Sequence, residues 1–132
     1  MPRAVPKPKK RGKRTPRQKA IKKADDAFSL YIRGRDKKCV TCGSEENLQC
    51  GHLFTRGYYP TRWSENNAFC QCAGCNMRHE YDPYPLTSHF LLVYGEKRYH
   101  DLHKRAKTPR KYTTEELNFI ANTFTIKLKE IS

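Results

Sequence analysis

Two cysteine pairs, Cys39-x-x-Cys42 and Cys72-x-x-Cys75, constrain this chain more than any other feature. Two residues between thiols let one tight turn aim both sulfurs at a single tetrahedral ion about 2.3 Å away. Two such turns close the coordination shell, so the spacing predicts structural zinc on Cys39, Cys42, Cys72 and Cys75. Six cysteines could instead form disulfides, but the basic N-terminus lacks the apolar stretch of a secretory signal. The expectation is a reducing, cytoplasmic setting. Metal also compensates for a lean core: hydrophobic residues are 36% of the chain, and zinc binding supplies on the order of 10 kcal/mol or more. Cys50 and Cys70 read as small buried hydrophobes. The length of 132 residues implies one domain, and no run of about 18 apolar residues exists to span a membrane.

Charge is concentrated at one end. Residues 1–23 hold 11 Lys and Arg and no acid, together with four prolines, within a chain of net charge +14. Such a segment repels itself and buries nothing, which predicts a disordered basic arm over residues 1–14. Its natural partner is nucleic acid, since each neutralised phosphate releases counterions without regard to sequence. Lys9, Lys10, Arg11, Lys13 and Arg14 are the arm's candidate phosphate contacts.

The remaining residues, 15–132, read as a single α+β domain. Helical spacing of Ala20, Ala24, Ala27, Phe28 and Tyr31 predicts a helix over 15–34, opened by Thr15 or Pro16 and stopped by Gly34. Over 39–80 the pattern shortens: Leu48–Phe54 and Ala68–Gln71 read as strands, with a helix starting near Gly74 and carrying Asn76–Glu80. Asp82–Pro85 reads as a turn, and 85–132 as a helical part: Ser88–Tyr94, Glu96–Lys107, and a last helix capped by Thr113 and Glu116. Ordinary zinc ribbons leave about 15–20 residues between cysteine pairs. Here 29 residues separate Cys42 from Cys72, so an insert is displayed, and it contains His52 and Asn67. His79 follows one helical turn after Cys75. Strand periodicity would put Cys50, His52 and Phe54 on one face.

The order Cys39-x-x-Cys42, Gly51-His52, Asn67-Ala68-Phe69-Cys70-Gln71-Cys72-Ala73-Gly74-Cys75-Asn76, His79 resembles HNH (ββα-metal, His-Me finger) nucleases. The stretches ADDAFSLYIRGRD, CVTCG, CGHLFTRG, TRWSENNAFCQCAGCN and LLVYGEKRYHDL resemble more closely the bacteriophage NinG/Rap recombination endonucleases, over about residues 24–105. The resemblance implies a small zinc-stabilised ββα-metal core with flanking helices, cutting branched DNA such as Holliday junctions in the host cytoplasm. It implies catalytic roles for His52, Asn67 and His79: His52 as general base, Asn67 orienting it or helping to hold a divalent ion, His79 as ligand of that ion. The ion would be Mg²⁺ or Mn²⁺. HNH nucleases usually carry an acidic ligand just before the first histidine; that position is Gly51, leaving Glu80 or Asp82 as substitutes.

The residue chemistry agrees with such a reaction. A neutral imidazole accepts a water proton near pH 7, and a hard divalent ion stabilises phosphate oxygens. A four-thiolate zinc has no open position and serves structure alone. Arg56, Arg62 and Arg78 are candidate phosphate contacts, and Tyr58, Tyr59 and Trp63 either stack on unpaired bases or pin the loop by packing Trp63 on the knuckle. His89, His100 and His103 read as surface or packing residues. Rival readings are a non-catalytic zinc-ribbon DNA-binding accessory protein, favoured by Gly51, and a nicking nuclease of homing or packaging type. Action on paired strands is compatible with a homodimer; no small-molecule substrate is implied.

Overall fold

The computed structural model describes residues 12–132. The arm expected over 1–14 therefore lies largely outside the described residues, with Lys9, Lys10 and Arg11; Lys13 and Arg14 are described and exposed.

Helix α1 spans Pro16–Asp36, capped reciprocally by Thr15 and Gln18. Proline at its first position costs nothing, because that N–H has no helical partner. The helix does not stop at Gly34. It continues to Asp36 and ends on Lys37 in the left-handed region at φ 67°. Tertiary anchors explain the added turn: Arg35 donates to the carbonyls of Glu65 and Ala68, and Asp36 accepts the Cys70 N–H at 2.9 Å. Gly34 answers to packing instead, since a Cβ there would stand 2.8 Å from Leu128 Cδ1.

Strands β1 (Leu48–His52) and β2 (Ala68–Cys72) pair antiparallel, with Leu48 opposite Cys72 and His52 opposite Ala68. Strand β1 is two residues shorter than its sequence pattern suggests. Phe54 consequently leaves the face of His52 and packs on Tyr99 and His103, at 5.6 and 5.3 Å between ring centres. Between the strands lie a short helix, α2 (Tyr59–Arg62), which the sequence reading missed, and a 3₁₀ turn at Glu65–Asn67.

Helix α3 (Ala73–Arg78) follows β2 directly, so His79 caps it rather than riding inside it. The chain then turns at Asp82 and Pro83 into α4 (Tyr84–Tyr94), and Pro85 belongs to that helix's first turn. Gly95 at φ 84° breaks α4 from α5 (Glu96–Ala106). The last helix, α6 (Thr114–Ile131), has the expected Thr113–Glu116 capping box.

An isolated two-stranded hairpin is marginal in water and needs cover. Here it is covered on both sides. Ala68 and Cys50 join a core made by α1 and α6, with Phe28, Ile32, Leu117 and Phe124. Leu53 and Phe69 join a second core with Leu86, Phe90 and Leu102 of α4 and α5. Trp63 packs into the first core against Tyr112 rather than onto the knuckle. The fold is α+β, a small sheet between two helical layers.

A cysteine cluster and an adjoining histidine cleft

Cys39 and Cys42 sit on a turn closed by the Gly43 N–H on the Cys39 carbonyl at 2.9 Å, with Gly43 at φ 81°. Cys72 caps α3, where its sulfur accepts the Cys75 N–H at 3.5 Å. The β1–β2 pairing brings the two turns together, and the four sulfurs lie within 4.8 Å of one another. Four sulfurs on a tetrahedral ion at 2.3 Å stand about 3.8 Å apart; Cys42 and Cys72 are 3.7 Å apart. The four thiols also crowd one another. Burial opposes Cys39 ionisation, yet hydrogen bonds from Thr41 and nearby backbone hold its pKa down at about 6. Cys75 is pushed up to about 12: Thr41 lowers it, but burial and the crowding sulfurs of Cys72, Cys42 and Cys39 prevail. A dication removes that crowding. The donor set fits a structural metal such as zinc.

Cys50 and Cys70 face each other across the strands outside this cluster. Burial raises their pKa values to about 12 and about 11. They are protonated, apolar packing groups.

Beside the knuckle, α1, β1 and α3 enclose a cleft of about 860 Å³ whose lining includes Asp25, His52, Arg56, Asn76, His79 and Glu80. His52 presents Nε2 to the Arg62 carbonyl at 2.8 Å. A carbonyl only accepts, so Nε2 carries the proton and Nδ1 keeps its lone pair. Burial beside Phe28 pulls the His52 pKa down to about 4, against the opposite pull of the Arg62 carbonyl. His79 repeats the pattern: Nε2 donates to the Leu53 carbonyl at 2.9 Å, and its buried Nδ1 has no partner. Glu80 lines this cleft too, whereas Asp82 lies off it, paired with Arg78 at 3.0 Å.

Asn67 is wholly buried and its amide is engaged. Nδ2 donates to the Phe54 and Thr61 carbonyls at 3.0 and 2.9 Å, and Oδ1 accepts the Phe54 N–H at 2.9 Å. It braces the loop that ends at Arg62. This geometry corrects the expectation of Asn67 as an ion ligand, because its amide groups are spent on backbone. Arg62 is also repositioned: its guanidinium grips Asp25, with 2.6 Å from Nη2 to Oδ2, and lies over Tyr59 and Trp63. It is unavailable to a phosphate. Arg56 is more than half exposed and Arg78 likewise, so both can meet an anion.

Sequence reasoning passed over Asp25 and Gln71. Asp25 adjoins the apolar stripe of α1 between Ala24 and Phe28, the one signal that it faces inward. Gln71, 1% exposed, lies over Gly51 so that a Cβ at 51 would overlap Oε1, which is unpartnered. Its Nε2 reaches Thr41 Oγ1, itself 3.2 Å from the Cys39 sulfur. An acidic residue at 51 would have to displace the Gln71 side chain. His103 and His89 pack on Phe54 and Phe69, and His100 sits exposed beside Glu96.

Cluster, clamped sheet and helical layers define a small α+β protein organised around four close cysteines that could hold a structural metal ion. Among the described residues no helix is long and apolar enough to cross a membrane. A family model described as bacteriophage Lambda NinG protein matches residues 3–132, and the chain belongs to that family. It is 29% identical over 121 residues to protein ninG of Escherichia phage lambda, covering 88% of this chain and 59% of that protein. Protein ninG of Salmonella phage P22 is 31% identical over the same length, again covering 88% and 59%. The chain thus spans about three-fifths of the length of the curated relatives it matches. No solved structure matches it.

Proposed function

We propose that this chain is a divalent-metal-dependent DNA endonuclease of HNH type, selective for branched DNA such as Holliday junctions in the host cytoplasm. One observation carries the reading. Two histidines of one cleft, His52 and His79, each place Nε2–H on a backbone carbonyl and keep Nδ1 as the free acceptor. A ligating histidine has this form, with its other ring nitrogen tied to a carbonyl. The orphaned Nδ1 of His79 therefore suits a divalent ion. When bound, Mg²⁺ or Mn²⁺ would offset charge on the phosphate and the leaving oxygen.

His52 performs the proton step. Its Nδ1 takes a proton from water as the water oxygen bonds to phosphorus and the P–O bond to the leaving strand breaks, that oxygen taking a proton from solvent; Nε2 stays on the Arg62 carbonyl. A pKa near 4 keeps the ring unprotonated at neutral pH. The negative phosphodiester raises its proton affinity when the substrate arrives. Arg56 at the cleft and the basic residues 1–23 supply sequence-independent attraction for DNA. A homodimer would suit a four-way substrate.

The test compares cleavage of a four-way junction, a flap and linear duplex with Mg²⁺ or with EDTA. His52→Ala should lose about 10²–10⁴-fold in cleavage while keeping zinc and DNA binding. His79→Ala should be partly rescued by raised Mn²⁺. Gly51, crowded by Gln71, favours the second reading, a zinc-knuckle DNA-binding accessory protein. That reading takes over if wild type shows no metal-dependent cutting.

A further inference from the structure

We propose that Asp25, on α1, is a positioning residue that holds His52 in its Nε2-protonated form by locking Arg62. It deepens the nuclease reading of His52 and rests on it. One carboxylate grips two consecutive side chains: Arg62 donates from Nε to Oδ1 at 3.0 Å and from Nη2 to Oδ2 at 2.6 Å, and Trp63 Nε1 donates to Oδ1 at 3.0 Å. Arg62 Nη1 also donates to the Arg56 carbonyl at 3.2 Å, and Arg56 Nη1 stands 3.7 Å from Asp25. Tyr59 and Trp63 rings flank the guanidinium at 5.2 and 5.4 Å. With both side chains tethered, the peptide of residue 62 has one orientation, and its carbonyl accepts the His52 Nε2–H at 2.8 Å.

Helix α1 thereby holds the imidazole twice. Phe28, three residues beyond Asp25, lies 5.8 Å from the ring, and Asp25 fixes the carbonyl that selects the tautomer. Tautomer decides function, because a general base needs its lone pair on the nitrogen facing the cleft. A carboxylate alone offers two acceptor oxygens to the planar guanidinium fork. An amide at 25 offers one acceptor and turns N–H against N–H, so the fork opens and the carbonyl is freed. The Nδ1–H form then competes.

The experiment uses the full zinc-loaded chain with ¹⁵N-labelled histidine, read by long-range ¹H–¹⁵N spectra at pH 7. Wild type should show a single Nε2–H tautomer at His52. Asp25→Asn should show a mixture and lose roughly 10–100-fold in kcat on branched DNA, with KM little changed. Arg62→Lys, which keeps the charge without the fork, should show the same mixture and serves if Asp25→Asn does not fold. Glu65→Gln, which breaks the 2.6 Å pair with Lys127 elsewhere, is the stability control and should leave the tautomer alone. A single Nε2–H tautomer in folded Asp25→Asn or Arg62→Lys overturns the proposal. If wild type cuts no DNA, the nuclease reading fails by itself, and the tautomer still decides the role of Asp25.

Discussion

His52 pits a buried ring against acid. Its folded pKa of about 4 lies below the ordinary histidine value near 6.5, so the unfolded chain binds the proton more readily. Stability is full above pH 6.5 and is lost as pH falls toward 4, by about 3 kcal/mol for this residue. His52→Gln should therefore flatten the fall in denaturant midpoint between pH 7 and pH 4.5. The difference between wild type and variant cancels the acid sensitivity of the cysteine cluster, and parallel curves would refute the buried neutral ring. Gly51 sets a second condition at this scale. A methyl group there overlaps Gln71 Oε1, so Gly51→Ala should cost about 1–3 kcal/mol. Adding Gln71→Ser should cost less than the separate effects predict, a coupling visible in a double-mutant cycle.

Among the elements, the packing of α1 on α6 carries the most weight for the cleft. Phe124 of α6 meets Phe28 edge-on at 4.8 Å and Tyr31 at 5.4 Å, and Phe28 in turn touches His52. Phe124→Ala should cost about 3–5 kcal/mol by urea denaturation, whereas Phe119→Ala, on the same helix but 73% exposed, should stay within about 0.5 kcal/mol. The final turn of α1 belongs to the same scale. Arg35 and Asp36 bind β2, so the helix ends where the sheet needs it rather than at its glycine.

For the whole molecule, the cysteine cluster ties the Cys39 turn, the end of β2 and the start of α3 together. Purified protein should hold one zinc per chain, and a strong chelator or Cys72→Ser should unfold it cooperatively by circular dichroism. A folded, reduced, zinc-free chain would contradict the metal assignment. Charge acts at this scale too. Deleting residues 1–14 removes seven of the chain's 27 Lys and Arg, at Arg3, Lys7, Lys9, Lys10, Arg11, Lys13 and Arg14. DNA binding should weaken at every sequence, and the slope of log K against log salt should drop by roughly 0.9 per lost phosphate contact. An unchanged slope would free the arm of any backbone role.

What the sequence determined by itself was local: cysteine spacing, a helix start at Thr15 or Pro16, the helix cap at Thr113, the charge of the first 23 residues, and strand identity near residues 48 and 68. These depend on turn geometry and side-chain type within a few residues. Tertiary structure decided the rest. Arg62 read as a phosphate contact until Asp25, 37 residues earlier, claimed its guanidinium. Asn67 read as a possible ligand until the loop at Phe54 and Thr61 occupied its amide. Whether a polar side chain is free depends on partners that only the fold brings near, and most buried donors and acceptors take such a partner because leaving them unpaired costs more.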